Sequence, residues 1–212
     1  MFKDGLVLRF QNMNIPPMDY PDFIIVGLGN PGKRYDNTRH NVGFRAIDYL
    51  AEHEEKAHGC KRALYNSLTG RFFLANYLFF MVKPQTYMNN SGIAVDSVMN
   101  FYGIPTEKLI VIHDDISLPV GAMRIKRDGS SGGHKGVQSV IDYMESDKFL
   151  RIKIGVGQKP EKWDLADYVL SHFNDEESKK IDGLMPKIHE ALDCMLKYDV
   201  DRMMSEFSIS GK

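Results

Sequence analysis

The sequence predicts an α/β fold, a single three-layer α/β/α domain around a mixed, mostly parallel sheet. Three observations lead to it. Short apolar runs rich in β-branched residues, such as Phe23–Val26 and Leu109–Ile112, alternate with longer stretches whose apolar residues recur at helical spacing. Both runs end in polar residues, Asn30 after the first and Asp114 after the second. Strands of an open α/β sheet end this way where their carboxyl ends meet a binding crevice. Finally, 43% apolar and 26% charged residues over 212 positions match one ordinary globular core.

The same totals exclude several classes. A net charge of −1 gives no overall basic field, so any nucleic-acid partner must be held by a local patch. Cys60 and Cys194 lie far apart and outside any C-x-x-C spacing, which argues against a disulfide framework or zinc site and fits a reducing cytoplasm. No apolar run nears the roughly 20 residues that span a bilayer, so a soluble protein without a membrane partner is expected.

Residues 1–22 read as an extension of unknown role, broken by Pro16-Pro17, and residues 23–212 as the single domain. After the Phe23–Val26 strand, Gly27-Leu28-Gly29-Asn30-Pro31-Gly32 fits G-x-G-x-x-G by letter. A dinucleotide fingerprint must open directly into a helix and meet an acid roughly 20 positions on, at a second strand end. Here 33–41 is polar and loop-like, and Glu52 lies inside the next helix, which counts against a dinucleotide-binding oxidoreductase. That helix, Val42–Ala57, carries Phe44, Ile47, Leu50 and Ala51 on one stripe, with Asn41 placed to cap it.

Ala63–Phe73 and Asn76–Val82 read as strands, the second ending at Lys83-Pro84. A polar loop, Gln85–Gly92, precedes a helix at Ile93–Tyr102 that Gly103 ends. Ser91 or Asn90 can cap this helix, which leaves Asn89 for function. The Leu109–Ile112 strand delivers His113-Asp114-Asp115, and alternation points His113 away from the face of Asp114, giving it a structural part.

Ala122–Arg127 alternates Met123 and Ile125 with Arg124 and Lys126, so both cations emerge on one side of a strand. The glycine-rich loop Asp128–Gly136 leads into a helix at Val137–Met144, and its free amides and Lys135 suit an anion. Lys148, Arg151 and Lys153 extend the basic strip, with Ile152–Val156 a further strand. Trp163–Phe173 is expected to cover an edge. Asn174 or Asp175 caps a helix to about Gly183, and Pro186 breaks the run, so a second helix extends from Pro186 to about Phe207.

His40 is a histidine set among polar loop residues beside a glycine-rich turn, and an unperturbed pKa of about 6.5 suits it to proton abstraction. A strand-end carboxylate able to fix its tautomer, with amides to bind a carbonyl, favours a catalytic role over a structural one. There is no G-x-S-x-G elbow, no cysteine beside a histidine, and neither H-E-x-x-H nor any cluster of histidines and acids along the chain. Water is then the nucleophile, and the residues point to a hydrolase without cofactor or metal.

Five blocks in register resemble the bacterial-type peptidyl-tRNA hydrolase family: Gly27–Gly32, Tyr35 with Thr38–Gly43, Lys83–Gly92, His113-Asp114-Asp115, and Gly132-Gly133-His134. The resemblance covers Phe23–Met204 and implies hydrolysis of the ester joining a peptide to tRNA, which frees the tRNA for translation. It implies His40 as general base, Asp114 orienting it, and Asn30 and Asn89 binding the carbonyl and its oxyanion. It also implies Tyr35 and Tyr87 at the substrate and Arg124, Lys126 and Lys153 on the tRNA phosphates. Lys135 is expected at the substrate too, its amine taking the place of an amide, and the chain is expected to be a cytoplasmic monomer. One position departs from the pattern: Lys135 stands where family members commonly carry asparagine. An RNA-binding relative that does not turn over is the alternative that the resemblance leaves open.

Overall fold

The computed structural model describes residues 20–53 and 58–211. Seven strands among these form one sheet in the order β2-β3-β4-β1-β5-β7-β6. They are β1 (Phe23–Gly27), β2 (His58–Leu64), β3 (Ser67–Leu74), β4 (Tyr77–Pro84), β5 (Leu109–Asp115), β6 (Met123–Lys126) and β7 (Leu150–Gly155). The four central strands β4, β1, β5 and β7 run parallel, while β2, β3 and β6 add antiparallel flanks. The sheet is therefore mixed, with its parallel part confined to the middle.

Strand alternation sorts the core into two layers. Ile25, Ile110 and Ile112 pack toward α1 (Val42–His53), α5 (Asp175–Lys197) and α6 (Val200–Phe207). Ile24, Val26, Leu109 and Val111 face the other way, toward α2 (Ser91–Tyr102) and α3 (Lys135–Met144). A strand buried on both faces must be apolar at every position, which is why β1 and β5 read as continuous runs. The short α4 (Leu165–Val169) completes the helices that the described residues contain.

Three expectations change. The Ala63–Phe73 run is two strands, β2 and β3, joined at Tyr65-Asn66, and Ala75-Asn76 joins β3 to β4 in the same manner. All four turn residues have positive φ, between 47° and 69°, the backbone of two-residue hairpin turns that fit the sheet's twist. Neither turn contains glycine, so neither carries the usual signal. Pro186 does not break the C-terminal helix but lies inside α5, and the break comes at Tyr198-Asp199, where the Asp199 side chain caps α6. Proline removes one hydrogen bond from a helix, and α5 holds through it because Ile181, Leu184, Met185, Ile188 and Leu192 are buried on both sides of it. Finally, Trp163–Phe173 does not lie along a strand edge: it forms α4 and a bridge from His172 to Thr38, covering the loop that carries His40. The expected continuation of the first helix over 54–57, and most of the expected 1–22 extension, fall outside the described residues.

Candidate active site

Polar side chains gather where the parallel strands end. Asn30 follows β1, the turn Met88–Asn90 follows β4, and Asp114 lies at the end of β5. The glycines near β1 serve packing. A Cβ on Gly43, in the first turn of α1, would lie 2.5 Å from the carbonyl oxygens of Leu28 and Ile112, and one on Gly27 would lie 2.2 Å from Gly43 O. The helix thus presses directly onto the strand ends, and its N-terminus lies well beyond the glycine turn, which removes the dinucleotide reading.

His40 is the middle residue of a single 3-10 turn, Arg39–Asn41. With three residues per turn, successive side chains point about 120° apart. Arg39 goes into the C-terminal part of the chain, His40 toward Asp114, and Asn41 toward Asn30. Asn41 accepts from the Asn30 backbone N–H at 2.8 Å and donates to the Asn30 carbonyl at 2.9 Å, so it clamps that loop rather than capping α1. Asn30 Oδ1 accepts from the Met88 backbone N–H at 2.9 Å. That bond fixes the amide's orientation and leaves its NH2 group as a donor.

Asp114 is 3% exposed, and its Oδ1 accepts two bonds of 2.8 Å, from His40 Nδ1 and from His134 Nε2. His134 Nδ1 accepts the backbone N–H groups of Gly136 and Val137 at 3.1 and 3.2 Å, so its proton must be on Nε2, aimed at the carboxylate. His40 gives its Nδ1–H to the same oxygen, which leaves its Nε2 lone pair as the open base. Burial alone would lower the His40 pKa, but the Asp114 charge and hydrogen bond outweigh it and hold His40 above its ordinary value, with Lys135 opposing them. Burial would likewise raise Asp114, yet the two imidazoles hold its carboxyl well below the usual carboxylate range.

His134 was missed as a site residue. It belongs to the Gly132-Gly133-His134 block of the resemblance, where it is given no role, and its position just before an amphipathic helix is the available signal for a cap. Its ring now occupies two amides of the α3 N-terminus, so the anion cradle expected there is partly filled by the protein itself. A further correction concerns the cluster: His40 Nδ1, Asp114 Oδ1 and His134 Nε2 lie within 4.8 Å of one another, although the chain shows no such spacing. The His134 tautomer opposes a metal there, because freeing Nε2 would push the proton onto Nδ1, against two backbone N–H groups. His113 is buried, donates Nδ1–H to the Asp114 carbonyl at 2.7 Å, and sets its ring 4.8 Å from that of His134. Burial holds its pKa down to about 3, so it remains neutral.

The remaining predicted residues divide. Asn89 is exposed in the turn whose Met88 holds Asn30, and Lys135 is exposed at the start of α3 beside His134. Tyr35 and Tyr87 meet edge to face with centroids 6.4 Å apart, and Arg34 lies over the Tyr35 ring. Arg124 and Lys126 emerge from β6 as the alternation required, each exposed. Lys153 pairs in register with Arg124, but its ammonium is bound to Asp115 at 2.8 Å. Arg151 adds nothing to the surface strip: it is 1% exposed and donates to the carbonyls of Ser130 and Asp147, anchoring the loop that leads to His134.

Together, the fold and this site define an α/β protein with an imidazole–carboxylate pair beside amide donors, an arrangement suited to activating water. Residues 24–212 match the family model described as Peptidyl-tRNA hydrolase. A peptidyl-tRNA hydrolase of Lachnoclostridium phytofermentans is 44% identical over 186 residues, covering 88% of this chain and 96% of that one. One from Lachnospira eligens is 45% identical, covering 88% and 99%. The crystal structure of the Acinetobacter baumannii peptidyl-tRNA hydrolase superposes with a TM-score of 0.82 at 29% identity, over 88% of this chain and 94% of that one. The chain belongs to the peptidyl-tRNA hydrolase family.

Proposed function

We infer that this chain hydrolyses the ester between the peptide and the terminal ribose of peptidyl-tRNA, with His40 as general base on water. The observation that carries the reading is the 2.8 Å bond from His40 Nδ1 to buried Asp114, which turns the basic Nε2 outward. His40 Nε2 takes a proton as water attacks the ester carbonyl. The tetrahedral oxyanion is met by the amides of Asn30 and Asn89. Its collapse expels the ribose oxygen, which takes the proton back from the imidazolium, leaving free tRNA and a peptide carboxylic acid that loses its remaining proton to solvent.

Arg124 and Lys126 are the free cations for tRNA phosphates, and Lys153 joins them by exchanging Asp115 for a phosphate. Tyr35 and Tyr87 form an aromatic rim for the substrate beside the Asn30 turn. The domain at 23–212 acts as a cytoplasmic monomer with no cofactor. Among the described residues, no helix is long and apolar enough to cross a membrane. Release of tRNA from a labelled peptidyl-tRNA tests the reading, with fMet-tRNA as a control expected to be spared. Binding of tRNA without release would make the chain an RNA-binding relative instead.

Two further results are expected in that assay. Asn89→Ala removes one oxyanion donor without touching a buried bond, and kcat should fall about 100-fold, near 3 kcal/mol of barrier, with little change in stability. Lys135→Asn removes the cation that opposes protonation of His40. The pKa of His40 then rises, and the acid limb of kcat/KM moves to higher pH. We assign Lys135 to a phosphate or ribose of the acceptor end, so KM should rise as well. Unchanged kcat, KM and pH profile in this variant would remove Lys135 from the site.

A further inference from the structure

The His40 side chain is hydrogen-bonded to Asp114 and its ring lies 5.0 Å from that of His134, while the residues on either side of it are locked more firmly. On one side Asn41 clamps Asn30. On the other, Arg39 is 7% exposed and spends every nitrogen of its guanidinium on a part of the chain more than a hundred positions away. Nε donates to Ser171 Oγ at 3.2 Å, Nη1 to the Val156 carbonyl at 2.8 Å, and Nη2 to Glu177 Oε2 at 2.7 Å. The guanidinium lies over both the Tyr168 and the Phe173 rings, its carbon 4.8 Å from each centroid. The Arg39 backbone N–H adds a bond to the Ser171 carbonyl at 3.0 Å.

Its partners are themselves fixed. Glu177 forms the capping box of α5 with Asn174, and Tyr168 Oη donates to the same Val156 carbonyl at 2.9 Å. One arginine therefore ties the end of β7, α4 and the start of α5 to the turn that carries His40. A buried cation is a costly way to cover two aromatic rings, and an apolar side chain would cover them at least as stably. What an arginine adds is direction, because its planar fork meets three acceptors in one orientation. In a 3-10 turn a tilt at Arg39 is passed directly to the next residue, His40.

We propose that Arg39, held by Glu177, Ser171 and Val156, is the positioning residue that aims His40 at Asp114 and at the attacking water. The proposal rests on His40 being the base. Lys keeps the charge, but its single nitrogen cannot span the three acceptors that the three guanidinium nitrogens meet, and Met packs against the rings without meeting any. The charged or titratable groups facing His40 are Asp114 on β5 and His134 and Lys135 at the start of α3, besides Arg39 on its own turn. A His40 that swings off Asp114 loses the charge that raises its pKa, so its acid limb moves to lower pH.

The test compares Arg39→Lys, Arg39→Met and His40→Ala with the wild type in peptidyl-tRNA hydrolysis, with rates expressed per folded molecule from thermal unfolding. Arg39→Met should lower kcat about 100-fold, the cost of a misplacement of about 1 Å. Arg39→Lys, which retains the buried charge and keeps the test open if the Met variant does not fold, should lower kcat about tenfold, with KM within about twofold of the wild type. In both, the acid limb should shift to lower pH. Wild-type kcat and pH profile per folded molecule would overturn the tether and show Arg39 to be structural only. If His40→Ala retains full activity, the reading of the base fails, and the tether with it. An inactive His40→Ala beside unimpaired Arg39 variants would overturn the tether alone.

Discussion

His40→Ala is expected to lower kcat for peptidyl-tRNA hydrolysis by about 1,000- to 10,000-fold while tRNA affinity stays within about threefold of the wild type. The imidazole is the group with a free lone pair aimed out of the network, and the phosphate contacts assigned to Arg124, Lys126 and Lys153 lie on the β6–β7 flank, apart from it. The loss should therefore appear in the chemical step and not in binding. Alanine leaves Asp114 Oδ1 with its bond from His134, so the buried carboxylate retains a partner and the fold should survive. Steady-state kinetics with a tRNA-binding measurement on the same preparation checks both halves. The wild type should lose activity as pH falls through the raised His40 pKa, because protonation fills the lone pair that accepts the proton from water.

Asp114→Asn should be nearly as severe, lowering kcat about 1,000-fold. The change is isosteric, but neither orientation of the amide replaces a carboxylate. With its oxygen in place of Oδ1 the two imidazole N–H groups remain satisfied, yet the charge that makes His40 a stronger base and steadies its imidazolium is gone. With the amide reversed, its NH2 group opposes two N–H donors and forces His40 into the wrong tautomer. The acid limb separates this from a simple loss of fold. Without the aspartate charge, the burial of His40 is unopposed and its pKa drops, so the remaining activity should persist to lower pH than in the wild type.

Much of this site is legible along the chain because it rests on one rule: polar residues at the carboxyl ends of parallel strands share a rim. That rule places Asn30 and Asp114 on one rim, and the strands that carry them do pair in parallel, with the Leu28 N–H donating to the Ile112 carbonyl at 2.9 Å. What escaped depends on partners remote in sequence. Nothing near Arg39 shows that Val156, Ser171 and Glu177 will close around it, so it read as one more polar loop residue. Arg151 and Lys153 read as surface charge because alternation gives a face but not what lies over that face, here the Ser130 carbonyl and the Asp115 carboxylate. Asp114 looked like a partner for one histidine. Its second became visible only when α3 brought His134 to it. The hairpin turns and Pro186 escaped for the opposite reason: the local signals were absent or pointed the other way, and packing decided.

One oxygen shared between two imidazoles has a consequence for how protons are counted in turnover. His134 is held as a donor by the backbone amides behind it, so it can neither take the proton drawn from water nor release one to the leaving group. The network then has a single mobile proton, exchanged only through His40 Nε2, while the second ring serves as a fixed dipole that keeps the carboxylate facing the first. A solvent-isotope titration of the rate, run across mixtures of light and heavy water, should accordingly fit one moving proton and not two.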